Sequence, residues 1–254
     1  MSQNTKPVEV DAKKLKIRLG SSLLTGALFF AGLIFAYNHI SEDTSDDEAP
    51  TVVRTFFRLN ESISSASQKA IPLCVEKPRP GKGKPPRVNG DEGLKSPVDF
   101  KNYTIEVTSG VQQLHLAPTE IQKHPSVEVS AEFKCIEGWS QPIHYKGLKF
   151  SDFMSIYNVG KKSDGTLYKY VGFETPDEEY YVSIDMKSML HAQTVLAYEM
   201  NEAPLSLKNG APLRLIIPIK YGVKSLKRIG RIFFADERPK DFWTEQGYDW
   251  YSGL

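Results

Sequence analysis

The first apolar segment of the chain runs from Leu19 to Tyr37 without a charged residue. A helix needs about 20 apolar residues to cross the hydrocarbon core of a bilayer. A buried core helix usually carries a polar stripe, whereas this run is interrupted only by Ser, Thr and Gly. It is also longer than the apolar part of a cleavable signal peptide, and no small-x-small cleavage site follows it. We therefore predict one uncleaved transmembrane anchor over residues 19–40.

The charges on either side of this segment predict its orientation. Lys13, Lys14, Lys16 and Arg18 precede it, and the next Lys or Arg after it is Arg54. Basic residues favour the cytoplasmic side of a membrane. The pattern predicts a cytoplasmic N-terminus over residues 1–18, an acidic tether over 41–53 and a domain over 54–254 outside the inner membrane, in the periplasm of a Gram-negative cell.

Beyond residue 100, apolar and polar residues alternate, as is typical of half-buried β-strands. Tyr103, Ile105 and Val107 share one face of the first such strand. The odd-numbered residues from Val127 to Cys135 share one face of the second, because side chains in a strand repeat every two residues. Cys135 is therefore predicted to end an inward-facing row.

Other segments have helical spacing. Phe150, Phe153, Met154 and Tyr157 stand at positions i, i+3, i+4 and i+7, which predicts an amphipathic helix with an apolar face in the core. Composition predicts a second helix over Met189–Met200, with His191 in its first turn. Further strands are predicted over Tyr168–Phe173, Leu213–Ile219 and Ile229–Phe234. Short strands interleaved with a few helices indicate a mixed α+β domain rather than a regular β-α-β winding.

Composition and charge exclude several classes of protein. Basic and acidic residues number 32 and 31, so the net charge is only +1. The chain therefore has no overall positive potential that would attract nucleic acid. Two cysteines without a Cys-x-x-Cys pair argue against a disulfide scaffold or a structural zinc site, and Cys74 is predicted to be structural. The Pro-, Gly- and Lys-rich stretch Lys77–Arg87 is predicted to be a solvated surface loop; the alternative is a dock for anionic lipid or an acidic partner.

Common hydrolase and nucleotide-binding motifs are missing, but two other runs stand out. The first is Phe133–Ser140, FKCIEGWS, and the second is Asn209–Lys227, NGAPLRLIIPIKYGVKSLK. Together they resemble the oxidoreductase molybdopterin-binding domain of the sulfite oxidase superfamily, especially its bacterial branch of periplasmic methionine sulfoxide reductase catalytic subunits. The resemblance covers about residues 54–254 and implies a sulfite-oxidase-type, β-rich fold.

The resemblance also implies a cofactor, molybdenum-molybdopterin, and the residues that hold it. Cys135 would be the metal ligand and the catalytic centre, which suits a soft thiolate beside a transition metal. Arg and Lys side chains suit the phosphate of the pterin. For His191, a pterin hydrogen bond and a satisfied core histidine stay equally open, and Asn209 could instead be an ordinary turn former. The cofactor contacts implied are Thr175, His191, Asn209, Arg214, Ser225, Leu226 and Lys227.

The chain departs from the reductase pattern in three places. Where the reductases carry an Asn-x-x-Tyr-Glu run that touches the cofactor, the equivalent here is taken to be Arg54, Phe57 and Arg58. Exported molybdopterin enzymes generally use a twin-arginine signal, whereas this chain reads Lys16-Ile17-Arg18. The reductases also continue beyond the position of Leu254, so part of the substrate-pocket wall is expected to be missing or supplied by another subunit.

These features predict a membrane-anchored molybdenum oxidoreductase that transfers an oxygen atom. Sulfite oxidases place arginines after their metal-binding cysteine, whereas this chain places Glu137 and Trp139 there, so we expect reduction of S-oxides or N-oxides such as methionine sulfoxide. The expected partners are a small-molecule oxide, the membrane and a membrane b-type cytochrome that supplies electrons; no nucleic acid is expected. The alternatives are sulfite-type oxidation at the same site, or an anchored binding module that has lost redox turnover.

Overall fold

The computed structural model describes residues 12–42, 51–67 and 85–254. Helix α1 spans Ala12–Glu42 and helix α2 spans Thr51–Ser67. Within these ranges, no helix meets the length and hydropathy expected of a membrane span. The anchor over 19–40 thus stays a prediction. Cys74, most of the basic loop 77–87 and most of the tether 41–53 lie outside the described residues.

In its described residues, the domain forms two five-stranded sheets. The first has the order β2-β1-β10-β5-β6, with β1 and β10 parallel and the other neighbours antiparallel. Its strands are β1 (Ile105–Ser109), β2 (Gln112–Leu116), β5 (Tyr170–Glu174), β6 (Tyr181–Asp185) and β10 (Arg231–Ala235). With its short helices, this arrangement confirms a mixed α+β fold.

The second sheet has the order β3-β4-β7-β8, with β9 also pairing with β7. All of its described pairings are antiparallel. Its strands are β3 (Val127–Lys134), β4 (Ser140–Lys149), β7 (Val195–Met200), β8 (Ala203–Pro204) and β9 (Arg214–Ile216). Buried Val129 and Ala131 confirm the inward row of β3, and Cys135 follows directly after the strand.

Among the described residues, three short helices lie between strands, namely α3 (Pro118–Gln122), α4 (Phe150–Tyr157) and α5 (Met186–Met189), and α6 (Phe242–Glu245) follows the last strand. Helix α4 confirms the predicted amphipathic helix, with Phe150, Phe153 and Met154 buried. The predicted helix over Met189–Met200 is wrong, because Val195–Met200 forms strand β7. This strand lies between β4 and β9, and its first three residues are all buried, so the alternation that marks a half-buried strand is missing.

Helix α2 packs on the domain through polar contacts. The guanidinium of Arg238 pairs with Glu61 at 3.2 Å, and the Asn60 amide donates to Asp249 at 3.1 Å. These contacts place α2 against the C-terminal segment of the chain, so Arg54, Phe57 and Arg58 belong to a helix on the outside of the domain.

Candidate functional site

A cavity opens beside the end of strand β3 and encloses about 1020 Å³ of empty space, part of it open to solvent. Strands β3, β4 and β9 contribute Phe133, Tyr145 and Arg214 to its wall. The remaining wall comes from loops, including residues 87–92, 135–139 and 222–227. The predicted site residues that line this cavity are Cys135, Asn209, Arg214, Ser225 and Lys227.

A tight turn after β3 presents the thiol of Cys135 to the cavity. The Cys135 amide donates to the carbonyl of Trp139 at 2.9 Å, and the Gly138 amide donates to the Cys135 carbonyl at 3.0 Å. Gly138 has a φ of +86°, a backbone conformation that favours glycine. Cys135 is free and only 8% exposed, and the side-chain amide of Asn89 lies 3.7 Å from its sulfur. A single thiol is thus held on a rigid turn with a polar neighbour.

Arg214 supplies a buried positive charge to the same cavity. Its guanidinium donates to the Asn209 carbonyl at 3.1 Å and to the Ser225 carbonyl at 3.2 Å, while its Nε has no partner within the described residues. The sequence pattern placed Arg214 on the polar face of its strand, but the residue is only 4% exposed. Burial lowers the pKa of the guanidinium. An anion in the cavity would compensate this buried charge.

Lys227 adds a second cation to the wall. Its ammonium donates to the carbonyls of Asn89 and Gly90 at 2.6 and 2.9 Å. Burial, reinforced by the nearby charge of Arg214, lowers the pKa of Lys227 to about 8, although Glu92 acts in the opposite direction. The lysine therefore holds the loop 87–92 against the cavity while contributing charge to it.

Asn209 both forms a turn and lines the cavity. It ends a short 3₁₀ helix over Leu207–Asn209, and Gly210 follows with a φ of +97°. Its side-chain amide donates to Ser206 at 3.0 Å, and its carbonyl accepts from Arg214. The turn-forming role is thus present, and the contact with the cofactor stays a prediction.

Three residues named from the resemblance do not line the cavity. The buried Thr175 hydroxyl donates to Asp177 at 2.6 Å, and Leu226 packs in the main hydrophobic core. His191 follows helix α5, where its Nδ1 accepts from the Gln193 amide at 3.3 Å and burial lowers its pKa. Side-chain contacts of these residues with a group in the cavity are therefore not supported by their placement.

Sequence reasoning missed the loop 87–92, which contributes Arg87, Asn89 and Glu92 to the wall. The guanidinium of Arg87 lies 4.7 Å from the centre of the Trp139 ring. Arg54, Phe57 and Arg58 do not line the cavity. The available signal was an Asn and a Glu three residues apart, directly after the basic stretch.

The C-terminal segment forms the remaining side of the cavity. Trp243 and Tyr248 line it, and their rings meet edge to face at 5.2 Å. The Tyr248 amide also donates to the Trp243 carbonyl at 3.0 Å. Trp243 and Tyr248 therefore provide aromatic wall from the chain itself, and the expectation that a further part is missing or comes from another subunit stays a prediction.

The residues around the cavity fit a molybdenum-molybdopterin group. A free thiol, a buried guanidinium with an unpartnered Nε and a lysine face one volume. Thiolate sulfur is a suitable ligand for a transition metal, and the two cations suit a phosphate. Cys135 would hold the metal, while Arg214, Lys227, Asn209 and the Ser225 loop would hold the pterin.

Comparison with known proteins identifies the family. The model of the oxidoreductase molybdopterin-binding domain matches residues 93–243, more than half of the chain, and the chain therefore belongs to this family. The class that the fold and the site define is thus that of oxidoreductase domains that bind molybdopterin. The match begins at residue 93, so the start of the domain at residue 54 stays a prediction.

The chain is similar to subunits of methionine sulfoxide reductases and, in fold, to a sulfane dehydrogenase. A putative protein-methionine-sulfoxide reductase subunit, YedZ1, from Azospira oryzae is 34% identical over 65% of the chain, which spans 60% of that relative's length. The protein-methionine-sulfoxide reductase catalytic subunit MsrP from Campylobacter jejuni is 26% identical over 94% of the chain and 79% of its own length. The sulfane dehydrogenase SoxCD from Paracoccus pantotrophus matches with a TM-score of 0.50 and 18% identity, covering 56% of this chain and 40% of its own, which supports the fold.

Proposed function

We propose that this protein reduces sulfoxides by oxygen-atom transfer, with methionine sulfoxide as the model substrate. The observation that carries the proposal is the free thiol of Cys135 in one cavity with Arg214 and Lys227, in a chain that belongs to the molybdopterin-binding family. When bound, the cofactor would supply two-electron redox chemistry for removal of the oxygen. Cys135 would anchor the metal, and the two cations would retain the pterin phosphate.

The wall beside Cys135 favours a neutral oxide over an anion. Glu137 and Trp139 both line the cavity, and the Trp139 indole donates to the Glu137 carboxylate at 3.3 Å. A carboxylate there repels sulfite, whereas a sulfoxide meets no such repulsion and can pack its apolar groups on the indole. Arg87 lies over the same indole and keeps its positive charge, so a Glu137→Gln variant is needed to separate the effect of the carboxylate from that of the arginine.

Steady-state turnover of purified, molybdenum-loaded protein tests this proposal. We expect faster reduction of methionine sulfoxide by reduced viologen than oxidation of sulfite by an artificial acceptor. Glu137→Gln should shift the ratio of the two rates toward sulfite, by about tenfold for the loss of one nearby charge. Faster sulfite oxidation by the unmodified protein would overturn the proposal, and a protein that lacks molybdenum would favour a binding module.

We also propose that the domain is anchored to the inner membrane and faces the periplasm, where a membrane b-type cytochrome would supply electrons. The support is the uncharged run Leu19–Tyr37 with its preceding lysines, and helix α1, whose described apolar side chains are exposed. We expect the full chain to stay in the membrane fraction after a high-salt or carbonate wash, and a reporter fused after Leu254 to be active in the periplasm. Release of the full chain by carbonate, or a reporter active only in the cytoplasm, would contradict this topology.

A further inference from the structure

A buried ion pair joins two segments that contribute to the cavity wall. The Lys224 ammonium lies 2.5 Å from the Asp241 carboxylate, and their side chains are 2% and 3% exposed. Lys224 ends the 3₁₀ turn Gly222–Lys224, whose first two residues line the cavity together with Ser225. Asp241 directly precedes helix α6 and its aromatic residues. The pair thus connects the turn assigned to the cofactor with the C-terminal wall.

Asp241 fixes this wall through several hydrogen bonds at once. Its carboxylate caps α6, accepting from the Thr244 amide at 3.3 Å and from the Thr244 hydroxyl at 3.0 Å. It also accepts from the Ser183 amide of strand β6 at 3.0 Å. Trp243 stands within the capped turn, so its position depends on a buried carboxylate whose partner is the Lys224 ammonium.

The aromatic pair held in this way lines the cavity. Tyr248 is 44% exposed and contacts Trp243, which lines the cavity. Aromatic rings on the wall suit the apolar groups of an organic sulfoxide. The contacts they offer are binding contacts with parts of the substrate that do not react, and such contacts lower KM more than they raise kcat.

We infer that Lys224 and Asp241 are a positioning pair that holds Trp243 and Tyr248 in place and thereby sets the affinity for the sulfoxide. This inference rests on the proposed function and deepens it. It assigns substrate affinity to Trp243 and Tyr248, which lie outside the runs Phe133–Ser140 and Asn209–Lys227. It also predicts that chemistry and cofactor retention survive when the pair is broken.

The test uses two buried lysines as a matched pair in the full, molybdenum-loaded protein. Lys220 is also 2% exposed at its side chain and pairs with Asp185 at 3.5 Å, but its ammonium lies over Tyr251, 2.8 Å from the ring centre, and it does not line the cavity. Lys224→Met should raise KM for methionine sulfoxide about tenfold, with kcat within about threefold of the parent. Lys220→Met should leave KM unchanged, although it also removes a buried cation.

A second variant keeps the inference falsifiable if Lys224→Met fails to fold. Trp243→Ala leaves the ion pair intact and removes the wall itself, so it should show the same rise in KM with unchanged molybdenum content. Unchanged KM in folded Lys224→Met or in Trp243→Ala would overturn the inference, as would loss of molybdenum in either variant or an equal rise in Lys220→Met. If the loaded parent protein does not reduce sulfoxides, the proposed function fails and the inference fails with it. If the parent reduces them and only the variants disagree with the expected KM values, the inference alone fails.

Discussion

Replacing Cys135 by Ala is expected to abolish sulfoxide reduction, with a loss greater than the roughly 100-fold typical for residues outside the metal's direct ligands. Among the described residues, Cys135 is the free cysteine, and it lies on the cavity wall. Its turn is held by two hydrogen bonds, which the carbonyls of Trp139 and Cys135 accept. Without the thiol, the metal would lose its protein ligand. Arg214, Lys227 and Asn209 would still face the pterin, so the cofactor itself should be retained in part.

Three measurements together separate loss of the ligand from loss of the fold. X-ray absorption at molybdenum should show one fewer sulfur neighbour, molybdenum content should fall less than activity, and the midpoint of thermal unfolding should change little. Cys135→Ser is the matched variant, because it keeps the size of the side chain but replaces soft sulfur with hard oxygen. Turnover and a sulfur coordination number equal to those of the parent in Cys135→Ala would show that Cys135 is not the ligand.

Strand β3, which ends directly before Cys135, was predictable because the alternation that marks it depends only on residues close in sequence. Side chains on a strand alternate, so the buried row that includes Val129 and Ala131 places Cys135 at its inward end. Helix α4 was predictable for the same reason, since its apolar spacing matches the helical repeat. Most of the residues predicted from the run Asn209–Lys227 line the cavity, and their contacts with the cofactor stay predictions.

Strand β7 could not be predicted in this way because its burial depends on the sheet around it. Val195, Leu196 and Ala197 are all buried, since β4 and β9 pair on its two sides and both faces are covered. A short, continuous apolar run is compatible with either a helix or a buried strand. Composition alone therefore gave the wrong element for this segment.

The loop 87–92 and the wall 241–248 were missed because long-range contacts place them. The Lys227 ammonium donates to the carbonyls of Asn89 and Gly90, which are 138 and 137 residues away in sequence. The Lys224 ammonium pairs with the Asp241 carboxylate, which belongs to a different element. Neither segment has a periodic pattern that predicts its position. The buried charge of Arg214 was misjudged for a related reason: alternation on β9 predicts which face a side chain occupies, but both faces of this strand are buried.

Replacing Arg214 by Met is expected to reduce cofactor occupancy strongly. A charged hydrogen bond contributes about 1.5–3 kcal/mol, which corresponds to a roughly 10- to 150-fold weaker hold on an anionic group. The change also leaves the carbonyls of Asn209 and Ser225 without this donor inside the wall. Arg214→Lys keeps the charge but loses the planar fork, so its occupancy should be intermediate.

Arg228 is the control because it resembles Arg214 in its burial, its two carbonyl partners and its Nε, but lies away from the cavity. It is 3% exposed, donates to the carbonyls of Leu94 and Ser96 at 3.1 and 2.9 Å, and also has an Nε without a partner among the described residues. It does not line the cavity. Arg228→Met should therefore lower the free energy of unfolding by an amount comparable to Arg214→Met, while molybdenum and pterin per folded molecule stay at the parent level. Equal occupancy in the two variants, measured by elemental analysis and pterin fluorescence, would mean that Arg214 supports the fold alone and that the anion is held elsewhere.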